Sequence, residues 1–241
     1  MGKMKSKPGD EPQMLGFRQL KKLRLKDIDR FCTSAACDTD FSEWLSHRGL
    51  DPKKFIRGRL KRGLLSRYVY MPQIIICEIT IGKDTEARYF MDSRQIGFRP
   101  EEIGKLSTRA HENMHKAGHY KGVPGFFPDK SDTYNALNEG LTDLLTEKIF
   151  AVKCNNYPRL TEVAKKFAGI VVWDAVFNDY FFAGNTSVTK FNLIAGDSSA
   201  FSNFNRTLQL FWQYGSTETD YLSTANKIID EVAARAKMRT K

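Results

Sequence analysis

The chain has 241 residues, 41% of them hydrophobic, enough for a substantial core in one large domain or two small ones. No apolar run approaches the roughly 18–20 residues of a membrane-crossing helix, and "MGKMKSKPGDEPQMLG" has no apolar stretch after its lysines, which argues against a secretory leader. Four scattered cysteines argue against a disulfide framework and for free thiols in a reducing compartment, and the net charge of +10 points to an acidic partner or an anionic surface.

Residues 1–15 are polar, with Pro8, Gly9 and Pro12, and are expected to form a flexible basic tail. Its first residues match the pattern of an acylation signal, which has meaning only where the acylating machinery is met. In "FRQLKKLRLKDIDRF" (17–31), Leu20, Leu23 and Ile28 have near-helical spacing, which predicts a basic amphipathic helix. "DFSEWLSHRG" (40–49) predicts a short helix capped by Asp40 or Ser42. The second basic run is "KKFIRGRLKRGLLSR" (53–67). Aromatic residues are sparse in both runs, so stacking on nucleic-acid bases is not expected.

"RYVYMPQIIICEITIG" (67–82) and "EARYFMDSRQIGF" (86–98) are β-branched and aromatic, with Gly82-Lys83-Asp84 as the turn between them. They predict a small antiparallel sheet at about 60–100. Pro100 and two glutamates then open a helix that Gly118 stops. "KGVPGFFPDKSD" reads as a loop, and Ser131 or Asp132 would cap the next helix, 133–153. Residues 158–241 alternate helices and polar loops. The expected class is therefore α+β, a small antiparallel sheet followed by a predominantly helical part, with residues 16–241 as one domain.

Three of the four histidines fall within nine positions, in "HENMHKAGH". On a helix, His111 and His115 share a face one turn apart, a separation at which both imidazoles reach one metal ion. Glu112 lies about 100° from His111 and 60° from His115 around the axis. It is near such an ion without competing as a ligand, a position suited to a general base. A third ligand has two sources. The near one would extend the string as metzincins do, but Lys121 stands where their final histidine belongs, His119 comes two residues early, and Met238 is the only methionine after Met114. The far one is "NEGLTDLLTE", where Glu139 and Asp143 lie one turn apart on the next predicted helix. A stripe of Glu139, Asp143 and Glu147 could equally be a solvated face. His119 is expected to line the cleft or, as the first choice, to face solvent, where the next turn begins.

H-E-x-x-H followed on the next helix by N-E-G-L-T-D resembles the gluzincin zinc peptidases, whose second motif has the form N-E-x-x-[ST]-D, matched at Asn138, Glu139, Thr142 and Asp143. The resemblance covers about residues 100–150. It implies a zincin-like fold and a Zn2+ ion held by His111, His115 and Glu139. Asp143 would orient a ligand histidine, His111 first, and Asn138 would support the site. Glu112 would act as base, and an edge strand would hold the substrate. Gly140 would let the two site helices approach. Gluzincins add a tyrosine or histidine that stabilises the oxyanion. No histidine follows His119, so Tyr180 is the first choice, with Tyr134 and Tyr120 as rivals.

The expected function is a zinc peptidase acting on polypeptides, compatible with a toxin or an effector delivered without a leader. The competing expectation is a basic protein that binds nucleic acid or a membrane surface, with a structural or vestigial zinc site. A closed structural site usually draws on cysteines, and here they lie far from the motif.

Overall fold

The computed structural model describes residues 14–62, 67–70, 87–90, 94–126, 136–214 and 219–239. The predicted strand across 73–82, the predicted caps Ser131 and Asp132, Tyr134, Cys77 and most of the N-terminal tail lie outside the described residues.

Three helices come first: α1 (Phe17–Ala35), α2 (Thr39–Ser46) and α3 (Pro52–Lys61). The cap of α2 is Asp38, whose side chain accepts from Phe41 N at 2.8 Å, and not Asp40 or Ser42. The helix begins earlier than its hydrophobic pattern suggests, and Asp38 stands three residues before the first free N–H it can reach. On α1, Leu20, Ile28, Phe31, Cys32 and Ala35 turn inward. Cys32 and Cys154 are buried free thiols, whereas Cys37 is an exposed one.

The sheet is mixed, not antiparallel. Strand β1 (Tyr68–Tyr70) pairs in parallel with β3 (Gln95–Phe98), and β2 (Ala87–Phe90) pairs antiparallel with β3. The order β1-β3-β2 follows from a turn inside the second predicted segment, where Arg94 takes φ 54°. That segment therefore forms two strands, and its second half enters beside β1 in the same direction. Leu20, Tyr68, Tyr89, Ile96, Phe98 and Ile103 form a small core between sheet and helices.

Residues 100–104 form turns, and helix α4 (Leu106–Gly118) starts after Lys105, later than Pro100 predicted. Lys105 is extended, with φ −77° and ψ 116°, so the glutamates belong to the preceding turns and not to the helix. A two-stranded ribbon follows, β4 (His119–Tyr120) with β5 (Val123–Pro124). Helix α5 (Ala136–Phe150) then runs through the interior, with almost every residue buried. A helix covered on all sides needs apolar or internally satisfied groups all round. Leu137, Leu141, Leu144 and Leu145 supply the first, and Thr142, Thr146 and Asp143 supply the second. Helices α6 (Pro158–Val171), α7 (Trp173–Phe182), α8 (Thr186–Ala195), α9 (Ala200–Tyr214) and α10 (Thr219–Arg239) complete the chain. Most of α6 to α9 packs with α5 and α1 into the main core, rich in phenylalanine. Gly140 packs α5 against α6 and not against α4: a Cβ there would fall 2.4 Å from the Leu160 carbonyl oxygen. The layout is mostly helical with a small mixed sheet, an α+β arrangement. Among the described residues no helix is long and apolar enough to cross a membrane.

Candidate metal centre

Helices α4 and α5 lie side by side and face each other through the two motifs. His111 Nε2 and His115 Nε2 are 3.1 Å apart, and Glu139 Oε2 lies 3.2 Å from the first and 3.3 Å from the second. Three ligand-type atoms thus form a near-equilateral triangle. A tetrahedral ion with bonds of about 2.0–2.1 Å sets its ligand atoms about 3.3 Å apart, so this donor set fits a small four-coordinate divalent ion. The group could hold a metal ion.

Each imidazole is held from behind. His111 Nδ1 is 2.7 Å from Asp143 Oδ1. Asp143 is fully buried and also accepts from Asn156 Nδ2 at 3.3 Å and Tyr157 N at 2.9 Å. It is therefore part of no solvated face. His115 Nδ1 meets Thr142 Oγ1 at 3.4 Å. A histidine that donates from Nδ1 presents the Nε2 lone pair to a ligand. Both rings are thereby aimed at one point.

The electrostatics ask for a cation at that point. Burial alone would lower the His111 imidazole, but Asp143 and Glu139 outweigh it and lift its pKa to about 10. Burial would raise the Glu139 carboxyl, yet the two histidines hold it well below the usual carboxylate range. A proton on the His111 imidazole stands in for the positive charge that the carboxylates demand. Glu112 behaves in the opposite sense. Burial raises its carboxyl, and His111 and His115 only partly offset that. Its carboxylate accepts from the Tyr89 N–H, so the outer edge of β2 runs beside it.

Other predicted residues fall elsewhere. Asn138 Oδ1 accepts from Phe126 N at 2.8 Å, so this side chain ties down the segment after β5. Tyr180 is fully buried within α7, and its hydroxyl sits 2.8 Å from Thr142 Oγ1, on the side of His115 away from the ligand triangle. That position does not suit an oxyanion donor. Tyr120 packs on Phe182 and Arg59. His119 is 8% exposed, not solvated, because its Nδ1 bonds the Tyr89 hydroxyl at 2.6 Å. Arg59 also lies inside and donates to the carbonyls of His119 and Phe181 at 2.9 and 2.8 Å. It fixes the floor where α4 ends. Sequence reading missed Arg59, hidden in a charge run. It also missed the backbone donors of Tyr89 and Tyr157, which no side-chain pattern announces.

No protein-family model matches the chain, and no curated protein or solved structure matches it significantly.

Proposed function

We propose that this protein is a zinc-dependent peptidase of the gluzincin kind. The reading is carried by the triangle of His111 Nε2, His115 Nε2 and Glu139 Oε2, with Glu112 adjoining it on the same helix. Two imidazoles and one carboxylate are a catalytic zinc set, which leaves a fourth position open. Zinc held by His111, His115 and Glu139 would supply Lewis acidity and make a nearby water easier to deprotonate. Glu112 is the base: it takes the proton of the attacking water and returns it to the leaving amine. Its raised pKa suits this exchange, because a carboxyl nearer neutrality both accepts and gives back a proton.

The substrate is a polypeptide. In the described sheet β2 stands at the edge, and its Tyr89 N–H points to Glu112 and not to β3. An extended peptide laid along that edge brings its carbonyls past the base and the metal position.

The test combines metal content with hydrolysis. Wild type should hold one zinc per chain, and Glu139→Ala should hold none. Glu112→Gln keeps every ligand, so zinc should stay, while cleavage of unfolded protein or a peptide library falls at least about 10²-fold. A full zinc complement in Glu139→Ala would overturn the ligand set. Undiminished cleavage by Glu112→Gln would assign the activity to another site.

A further inference from the structure

The Thr142 hydroxyl has one proton to give, and the Asn138 carbonyl oxygen is placed to take it. Oγ1 lies 2.7 Å from the Asn138 carbonyl oxygen, one turn earlier on α5, and a carbonyl can only accept. Oγ1 is left with lone pairs alone toward its other two neighbours. The Tyr180 hydroxyl, 2.8 Å away, must therefore donate to it. His115 Nδ1, 3.4 Å away, must present a proton to make its contact. The chain of donors runs from Tyr180 and His115 into Thr142, and from Thr142 into Asn138 O.

The tyrosine ring is clamped in place. A Cβ added to Gly118 would fall 2.5 Å from Tyr180 Cε1, and one added to Gly125 would fall 2.9 Å from Cε2. Two glycines, one at the end of α4 and one after β5, thus admit opposite edges of one ring. Phenylalanine would fill the same slot. A buried hydroxyl is costly unless it is bonded, and this one is aimed at the side chain behind a ligand histidine.

We infer that Tyr180 is a positioning residue for His115, acting through Thr142. Its hydroxyl holds Thr142 as an acceptor, and Thr142 in turn holds His115 with the proton on Nδ1 and the lone pair on Nε2. The inference rests on the metal-site reading and deepens it. The two ligand histidines are then oriented by different chemistry: a carboxylate, Asp143, behind His111, and a neutral hydroxyl relay behind His115.

The test uses the full chain and zinc itself, with affinity read by chelator competition. Tyr180→Phe keeps the ring and removes the donor, and Thr142→Val removes the acceptor. Each should weaken zinc binding by about tenfold, the lower end of what such supporting contacts give. Thr142→Ser keeps the hydroxyl and should bind as wild type does. The double variant should lose no more than Thr142→Val alone, because both changes break one relay. In the zinc-free chain, ring nitrogen NMR should report His115 protonated on Nδ1, and the proportion should fall in both single variants. A purely structural role for Tyr180 would leave that signal unmoved. Zinc binding in Tyr180→Phe within about twofold of wild type overturns the inference, as do losses that add in the double variant. A wild-type chain that binds no zinc overturns the metal reading and this inference together, whereas zinc binding with unaltered variants overturns this inference alone.

Discussion

Asp143 accepts from three donors at once: the His111 ring, the Asn156 amide and the Tyr157 N–H. A carboxylate has the lone pairs for this. Asparagine has one oxygen and a donating amide, so in Asp143→Asn at least one of the three would face another donor. The His111 proton would also lose its charged partner, and with it the preference for Nδ1. Zinc affinity should fall by roughly 10–100-fold, with the fold retained, since size and packing hardly change. Chelator competition beside a circular dichroism spectrum would check both parts. Unchanged affinity would mean that the carboxylate serves only to anchor the start of α6. His119→Ala is the matching control. Its ring is bonded to Tyr89 and lies outside the ligand triangle, so zinc content should not change.

At the scale of elements, α4 is placed by a buried ion pair two residues before the first of its candidate ligand histidines. Arg109 Nε and Nη2 reach the two carboxylate oxygens of Asp27 on α1 at 2.7 and 3.3 Å, and Nη1 donates to Ile103 O at 2.7 Å. Tyr68 on β1 donates to the same carboxylate at 2.8 Å and accepts from Asn113 at 2.6 Å. Asn113, a variable position within the H-E-x-x-H string, thus belongs to the anchoring network. Breaking a buried pair by removing one partner leaves an uncompensated charge, so Arg109→Met should cost about 3–5 kcal/mol in urea unfolding. Adding Asp27→Asn should recover part of that, and a cost under about 1 kcal/mol for Arg109→Met alone would show the pair to be dispensable. None of this network was legible in the sequence. Asp27 and Arg109 stand 82 positions apart, and Asp27 sits inside a basic run that reads as a solvated face. The two motif helices were legible, because a metal site needs its residues at fixed helical spacing and that spacing survives in one dimension. Their packing was not. Gly140 meets Leu160 of α6, a contact decided by three-dimensional neighbours that no local pattern encodes. The sheet went astray for a different reason: Asp92-Ser93 is a turn signal in the sequence, but it stands inside one β-rich segment, and Arg94, at φ 54°, is not a glycine that would have marked the break.

For the whole molecule, an ion at the proposed metal centre would act as a cross-link between elements distant in sequence. The candidate ligands come from α4 and α5. Asp143 adds the start of α6 through Tyr157, and Thr142 adds α7 through Tyr180. Separating these helices requires dismantling the ligand set, so an ion that binds the folded chain must stabilise all four together. The rest of the fold stands without it, because the main core is apolar and continuous across the same helices. Chelation should therefore lower stability without unfolding the protein. An ion at 100 times its dissociation constant contributes about 2.7 kcal/mol when it binds only the folded state. At roughly 2–4 °C per kcal/mol for a chain of this size, zinc should raise the melting temperature by about 5–11 °C over the chelated protein. Binding of zinc to histidines and cysteines of the unfolded chain would reduce the shift toward the lower figure. Glu139→Ala should show no shift, since one corner of the triangle is missing. Glu112→Gln should keep the full shift, since its carboxylate bonds the Tyr89 N–H and is no corner of the triangle. Differential scanning calorimetry of the three proteins, each with zinc and with chelator, makes the comparison. A wild-type shift that persists in Glu139→Ala would place the stabilising ion elsewhere on the molecule and remove the ground for coupling these four helices through the site.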